Sequence, residues 1–272
     1  MKLLALATLG YALPKTDFDT FEQFWFTQKQ DHFDKSNRST FQQRFWRSDK
    51  FLQHKDAPVF VYICGESECH KPSEHSFYMD LANEFNATVY SFEHRYYGES
   101  QPVPDWTTPN MRFLSSQQGL EDLAAFIQTL KNKDEVNRKY LVIGGSYPGA
   151  LSAWFRYKYP HLADFSWASS GVINAIPDMW QQDEILYQDT LKSGEFCPTA
   201  IRRVMNYAEK HALMQMQGDP ASEIQSIMEL FGVEATKDMM VDEFLFFIAD
   251  VFIGYVQYGK RTELCKKLEA AP

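Results

Sequence analysis

The chain has 272 residues, of which 44% are hydrophobic and 15% aromatic, enough apolar mass for a packed core and too much for a disordered segment. A net charge of −9 excludes an electrostatic nucleic-acid or anionic-membrane surface and fits an acidic or extracellular setting.

In chain order, Lys2 precedes a short apolar run, Leu3 to Leu9, followed by the small residues Gly10 and Ala12 and a break at Leu13-Pro14-Lys15. This pattern predicts a secretory signal peptide over residues 1–13. Two acceptor triplets, Asn37-Arg38-Ser39 and Asn86-Ala87-Thr88, predict glycosylation on the same route. Residues 24–33 read as extended, and Thr40 to Trp46 alternates apolar and polar residues as a strand does. Pro58 to Cys64 is a nearly continuous apolar run, the pattern of a strand covered on both faces, and it ends in the polar loop Gly65-Glu66-Ser67-Glu68-Cys69-His70. A helix over Ser76 to Asn86 is expected to bury Phe77, Leu81 and Phe85. The strand Thr88 to Phe92 then enters a polar cluster, Glu93 to Ser100, and a loop with three prolines runs to Ser116. From Gln117 to Leu130 the apolar spacing of Leu120, Leu123, Ala124, Ile127 and Leu130 is helical.

The run Tyr140 to Ile143 then drives into Gly144-Gly145-Ser146-Tyr147-Pro148 and leaves at once into a helix over Leu151 to Tyr159. A serine hydroxyl is a useful nucleophile only where a base can reach it and backbone N–H groups can meet the developing oxyanion. A sharp strand-to-helix turn gives that exposure. The strict pattern is G-x-S-x-G; Gly144 and Ser146 fit it, and Pro148 stands at the second glycine position. The oxyanion donor in this arrangement is the N–H of Tyr147, so the proline does not remove it. A last short strand is expected over Phe165 to Gly171. The alternation of strands and helices over residues 14–176 predicts an α/β domain on a mostly parallel sheet, with Gly65, Glu93 and Ser146 at the carboxyl ends of their strands, where ligands bind.

Residues 177–272 change texture to methionine-rich helix, with Ile201, Val204, Met205 and Ala208 on one face and Ile224, Ile227, Met228 and Phe231 on another, and read as a helical cap. Phe244 to Val256 is too short to span a bilayer and is interrupted by Asp250. Cys64, Cys69, Cys197 and Cys265 allow three pairings, of which Cys197 with Cys265 is the first choice because both fall in the last third of the chain. None has the C-x-x-C spacing of a zinc site, and no cofactor or metal set is indicated.

Several segments together resemble the S28 serine peptidases, the family of prolyl carboxypeptidase and dipeptidyl peptidase II. They are Phe26 to Phe33, Thr40 to Arg44, Glu93 to Ser100, Gly144 to Tyr147 and Val256 to Gly259, in the family's order. The resemblance implies an α/β-hydrolase core with a helical cap inserted after the sixth strand, and exopeptidase action on peptides next to proline in a secreted or lysosomal/vacuolar enzyme. It makes Ser146 the nucleophile and Tyr147 N–H, with the backbone at Gly65 or Glu66, the oxyanion hole. Glu66 is also a candidate for contacting a substrate terminus. Glu93, His94, Arg95 and Glu99 then form a polar network bracing the site.

Family members carry the catalytic aspartate and histidine after the cap, so the chain reads as the N-terminal half of such an enzyme. His94, His70 and His75 lie on loops at the correct sheet edge without an evident carboxylate partner, while a helical rise of about 1.5 Å per residue puts His161 some ~20 Å away from Ser146. His32, His54 and His211 read as structural. A half-sheet also leaves the Phe165 strand at an edge, which predicts a dimer or an aggregate. The competing readings are a catalytically inactive secreted binding module and an ester or lipid hydrolase.

Overall fold

The computed structural model describes residues 21–270 except 74, 216–228, 230–231 and 233–239. The expected signal peptide and the expected helix face of Ile224, Ile227, Met228 and Phe231 lie outside the described residues. The chain divides into two compact units, Met1–Ala175 and Ile176–Pro272.

The first unit carries six strands among its described residues: β1 (Glu22–Lys29), β2 (Thr40–Ser48), β3 (Val59–Ile63), β4 (Thr88–Phe92), β5 (Tyr140–Gly145) and β6 (Phe165–Ser169). They form one sheet in the order β1-β2-β4-β3-β5-β6. β1 runs antiparallel to β2 and β2 to β4, and the remaining pairs are parallel, Val61 lying opposite both Tyr90 and Val142. The fold is of the α/β class with a mixed, mostly parallel sheet, as expected, and the parallel strands bring Gly65, Glu93 and Ser146 to one edge, just past the ends of β3, β4 and β5.

Covering both faces of the sheet explains the apolar run of β3. Val59, Val61 and Ile63 join the cluster formed with α2 (Ser116–Lys133) and α3 (Tyr147–Lys158), whereas Phe60 joins the cluster formed with α1 (Phe77–Glu84). Alternate residues thus point to opposite faces, as a pleated strand requires. Of the three residues expected on the buried face of α1, Leu81 packs partly buried against this second cluster, whereas Phe77 and Phe85 do not bury. Tyr78, Met79 and Ala82 are its buried residues, while Phe77 and Phe85 are 64% and 53% exposed. Phe77 is the first residue of the helix and Phe85 its C-cap, and each keeps one side of its ring on the protein, against Trp167 and Phe60 at 5.7 and 6.3 Å between ring centroids, and the other in solvent. α2 buries Leu120, Leu123, Ala124 and Ile127 as its period predicts, starts at the N-cap Ser115, and adds Phe126 to the core.

β6 pairs with β5 alone among the described strands and stands at the sheet edge, with Phe165 59% exposed. The second unit contains α4 (Trp180–Leu191), α5 (Phe196–Gln215), α6 (Val241–Gln257) and α7 (Arg261–Ala270). Ala208, Phe244, Ile248, Phe252 and Leu264 form its core, with Ile201, Val204 and Met205 packed against it. A Cys197–Cys265 disulfide ties α5 to α7. Among the described residues no helix is long and apolar enough to cross a membrane.

Phe126 is 1% exposed and meets Phe26, Phe45, Tyr90 and Phe92 at centroid distances of 5.5, 4.9, 5.8 and 4.4 Å. Phe126→Ala therefore destabilises the first unit by about 3–5 kcal/mol, measured by denaturant unfolding; a loss below ~1 kcal/mol would show that this cluster does not hold α2 to the sheet.

Candidate active site

Ser146 stands between β5 and α3 with φ 61° and ψ −127°. A non-glycine residue at positive φ is strained, and the strain of about 1–3 kcal/mol persists only where neighbours fix the backbone. Here the Ser146 N–H donates to the Ser169 carbonyl at 2.9 Å, and the Ala150 N–H donates to the Ser146 carbonyl at 3.1 Å. Gly144 allows the reversal, because a Cβ at that position would come within 2.1 Å of the Pro148 carbonyl oxygen. Ser146 is consequently exposed at the tip of the turn while Pro148 and Gly149 are buried beneath it.

Past β3, the loop from Cys64 to Cys69 is closed by a disulfide between those two residues. Gly65 lies directly on the elbow, where a Cβ on it would stand 2.9 Å from Pro148 Cγ and 3.1 Å from Cδ. The proline in the elbow and the glycine in the loop are therefore complementary. Glu66 is exposed, and its negative charge adds to burial in raising the phenol pKa of Tyr97 and Tyr147.

The start of the loop after β4, Glu93 to Tyr96, is buried and locked from below. Glu93 is fully buried and accepts hydrogen bonds from Arg44 Nη2 at 2.7 Å, Ser100 Oγ at 2.6 Å, and the backbone N–H groups of Cys69 and Glu99 at 3.1 and 3.2 Å. Arg44 also donates to Glu99 at 3.0 Å and to Glu68 at 2.9 Å. Arg95 donates from Nε and Nη2 to Asp122 at 2.7 and 2.6 Å and to the carbonyls of Gln30, Phe113 and Lys29. His94 joins this base to the elbow. Its Nδ1 lies 2.8 Å from the Arg95 carbonyl and so carries the proton, which leaves Nε2 to accept from Tyr147 Oη at 3.0 Å. Burial depresses the His94 pKa below the usual value, which keeps the ring neutral for this role.

A family model described as "Serine carboxypeptidase S28" matches residues 28–270. The chain belongs to the S28 family of serine peptidases. It is similar to a probable serine protease of Arabidopsis thaliana, 34% identical over 93% of this chain and 50% of that protein. A lysosomal Pro-X carboxypeptidase of Pongo abelii is 35% identical over 67% of this chain and 39% of that protein. A thymus-specific serine protease of Mus musculus is 36% identical over 61% of this chain and 33% of that protein. The chain thus spans half or less of the length of these S28 relatives.

The structure brings Ser146, Tyr147, Gly65, Glu66, Glu93, His94, Arg95 and Glu99 to one sheet edge, but both ring nitrogens of His94 are engaged away from Ser146. His32, read from sequence as structural, has Nε2 on Asp122 at 2.7 Å. His70 and His75 are exposed on the loop before α1, and His211 lies on α5 beside Tyr207. Asn37 and Asn86 are partly exposed, and the Asn37 amide donates to Gln30 at 3.0 Å. Sequence reasoning missed Asp122 and Arg44, and left the Cys64–Cys69 bond open as the second bond of one of three pairings. Arg44 stands within a segment that carried the family resemblance, which was a signal; Asp122 sits in a helical run whose apolar period gives no hint of a buried acid.

Two outcomes follow from this geometry. A histidine whose folded pKa is depressed stabilises the fold fully above the unfolded value of about 6.5 and loses that contribution as pH falls below it. Urea midpoints of the wild type should therefore fall more steeply between about pH 7 and pH 5 than those of His94→Gln, and parallel slopes would contradict the buried neutral ring. Gly65→Ala should cost about 1–3 kcal/mol by overpacking, and measurably less in a Pro148→Ala background, where the ring atoms it meets are gone; strictly additive effects would mean the two residues do not touch.

Proposed function

We propose that the chain supplies the nucleophile and oxyanion hole of an S28 serine exopeptidase that cleaves peptides next to proline. The observation that carries this reading is Ser146, held exposed at φ 61° between β5 and α3 with the Gly65 loop against its turn. In the proposed reaction Ser146 Oγ attacks the scissile carbonyl carbon and its proton passes to a base. The carbonyl oxygen takes the negative charge and is met by Tyr147 N–H and by the backbone at Gly65 or Glu66. Collapse expels the amine, which takes the proton, and leaves an ester on Ser146 that water hydrolyses. The base and its orienting acid are a histidine and an aspartate from the part of the family's length beyond these 272 residues. The coverage of the relatives and the engagement of both His94 nitrogens favour this assignment. A secretory or lysosomal route is proposed on the leader-like residues 1–13, the acceptors Asn37 and Asn86, and the lysosomal carboxypeptidases among the relatives. On this reading residues 177–272 are the cap.

A fluorophosphonate probe tests the reading. In a chain extended to the family's full length, labelling saturates at one site and is abolished by Ser146→Ala, and the 272-residue chain labels slower by about 10⁴-fold or more for want of its base. Equal rates in the two chains would remove the external base. An unlabelled long chain would favour a binding module that retains only the hydrolase scaffold.

A further inference from the structure

β1 is an outer strand of the sheet, and among the described strands it pairs with β2 alone. Which of its backbone groups stay open follows from the alternation of an antiparallel ladder. One step beyond the last β1 and β2 pair, Lys29 with Thr40, the Gln30 N–H donates to the Ser39 carbonyl at 3.0 Å. On the other side of β2 the Glu93 N–H donates to the Arg44 carbonyl at 3.1 Å. Both bonds fix the same phase: Phe24, Phe26 and Gln28 turn their N–H and C=O toward β2, while Gln23, Trp25, Thr27 and Lys29 turn theirs away. At Lys29 the outward groups are used within the chain, the N–H donating to Gln28 Oε1 at 3.2 Å and the carbonyl accepting from Arg95 Nη2 at 3.1 Å. At Gln23, Trp25 and Thr27 the outward groups have no hydrogen-bond partner among the described residues.

An open edge is a template for another strand, and proteins that keep an edge single blunt it with proline, a bulge, an inward charge or a short strand. β1 has eight residues, no proline or glycine, an unbroken register from Glu22 to Lys29, and charges at its two ends only. Between those ends Trp25 is 43% and Phe24 37% exposed. β6, the edge at which the sequence predicts a dimer, has five residues. The sequence of β1 also complements itself. A two-fold axis at Trp25, normal to the sheet, sets Trp25 opposite Trp25 of a second copy, Gln23 opposite Thr27, Phe24 opposite Phe26 and Glu22 opposite Gln28. In that register the three open N–H groups of each strand meet the three open carbonyls of the other, and Lys29, already satisfied, marks where the pairing stops. Aromatic residues then face each other on both sides of the joined sheet, the cross-strand arrangement that stabilises a ladder. Antiparallel order brings the acidic end of each strand, Glu22, beside the basic end of the other, Lys29, whereas parallel addition sets like ends together.

We propose that the outer edge of β1 is a self-association surface whose partner is a second copy of this chain, added antiparallel about Trp25. The inference is independent of the reading of Ser146 as nucleophile.

Sedimentation velocity on the 272-residue chain tests it, with Trp25→Lys, Trp25→Glu, Gln23→Pro and, at the other edge, Phe165→Lys. Trp25 is exposed and the Gln23 N–H points away from β2, so these changes leave the bonds to β2 in place and the melting temperature close to that of the wild type. The wild type should dimerise with a dissociation constant of about 10 µM. Trp25→Lys and Trp25→Glu should each weaken the dimer by about tenfold or more, because like charges then oppose each other across the axis and the aromatic pair is lost. An equal mixture of the two should recover most of that loss, since opposite charges then meet. Gln23→Pro, which deletes one open N–H on each strand, should weaken it by about tenfold, and Phe165→Lys should leave it unchanged. A monomeric wild type at about 100 µM overturns the surface. So does a dimer that survives Trp25→Lys and Gln23→Pro, and one broken by Phe165→Lys belongs to β6 instead. Absence of recovery in the mixture overturns the register about Trp25. A chain starting at residue 21 that dimerises when the whole chain does not makes residues 1–20 the occupant of the edge, and a chain extended to the family's length that is monomeric makes the added length the occupant; either overturns the second copy.

Discussion

Arg95 is the constraint on which the site's geometry depends. It is completely buried, and its guanidinium places five hydrogen bonds on Asp122 and on the carbonyls of Gln30, Phe113 and Lys29. Desolvating a cation costs several kcal/mol, and only near-complete pairing offsets it. The pairing draws together the end of β1, the loop after β4, the segment before α2, and α2 itself. The backbone of Arg95 then presents the carbonyl that fixes the His94 tautomer, and His94 in turn receives the hydroxyl of the residue that follows Ser146. A charge satisfied deep in the first unit is in this way connected through three groups to the strained turn.

The same logic accounts for the second buried charge. Arg44 and Glu93 neutralise one another, and Glu93 also takes the N–H of Cys69, so the Cys64–Cys69 loop is anchored to the loop after β4 at the level of the backbone. The loops that follow β3, β4 and β5 are therefore mutually braced rather than independently placed. Strain of about 1–3 kcal/mol at Ser146 is tolerable because each neighbouring segment has its own reason not to move.

How much of this was legible beforehand depended on range. Strands β3, β4 and β5 announced themselves by apolar runs whose faces are both covered, and α2 by its spacing of Leu120, Leu123 and Ile127. Phe77 and Phe85 misled because spacing cannot tell which part of a short helix meets the sheet. Glu93, His94 and Arg95 were legible as a polar cluster placed where a site belongs. Their partners were not: Asp122 is 27 residues from Arg95 and Arg44 is 49 from Glu93, and side-chain pairing across such separations is a property of the fold rather than of any local pattern. Pro148 stood out as a departure from the elbow pattern, yet its compensation at Gly65 lies on another strand's loop and becomes visible only in three dimensions.

The two disulfides differ in what they contribute to an oxidised chain. Cys197 and Cys265 are 68 residues apart, so on chain-entropy grounds their bond restricts the unfolded ensemble by about 4 kcal/mol. Cys64 and Cys69 are five apart, and the corresponding restriction is about 2 kcal/mol. The short ring therefore acts less on whether the first unit folds than on the shape of a few peptide groups. Under reducing conditions the second unit would lose more of its resistance to unfolding. In the first unit the loss would fall chiefly on the outline of the loop that touches Pro148.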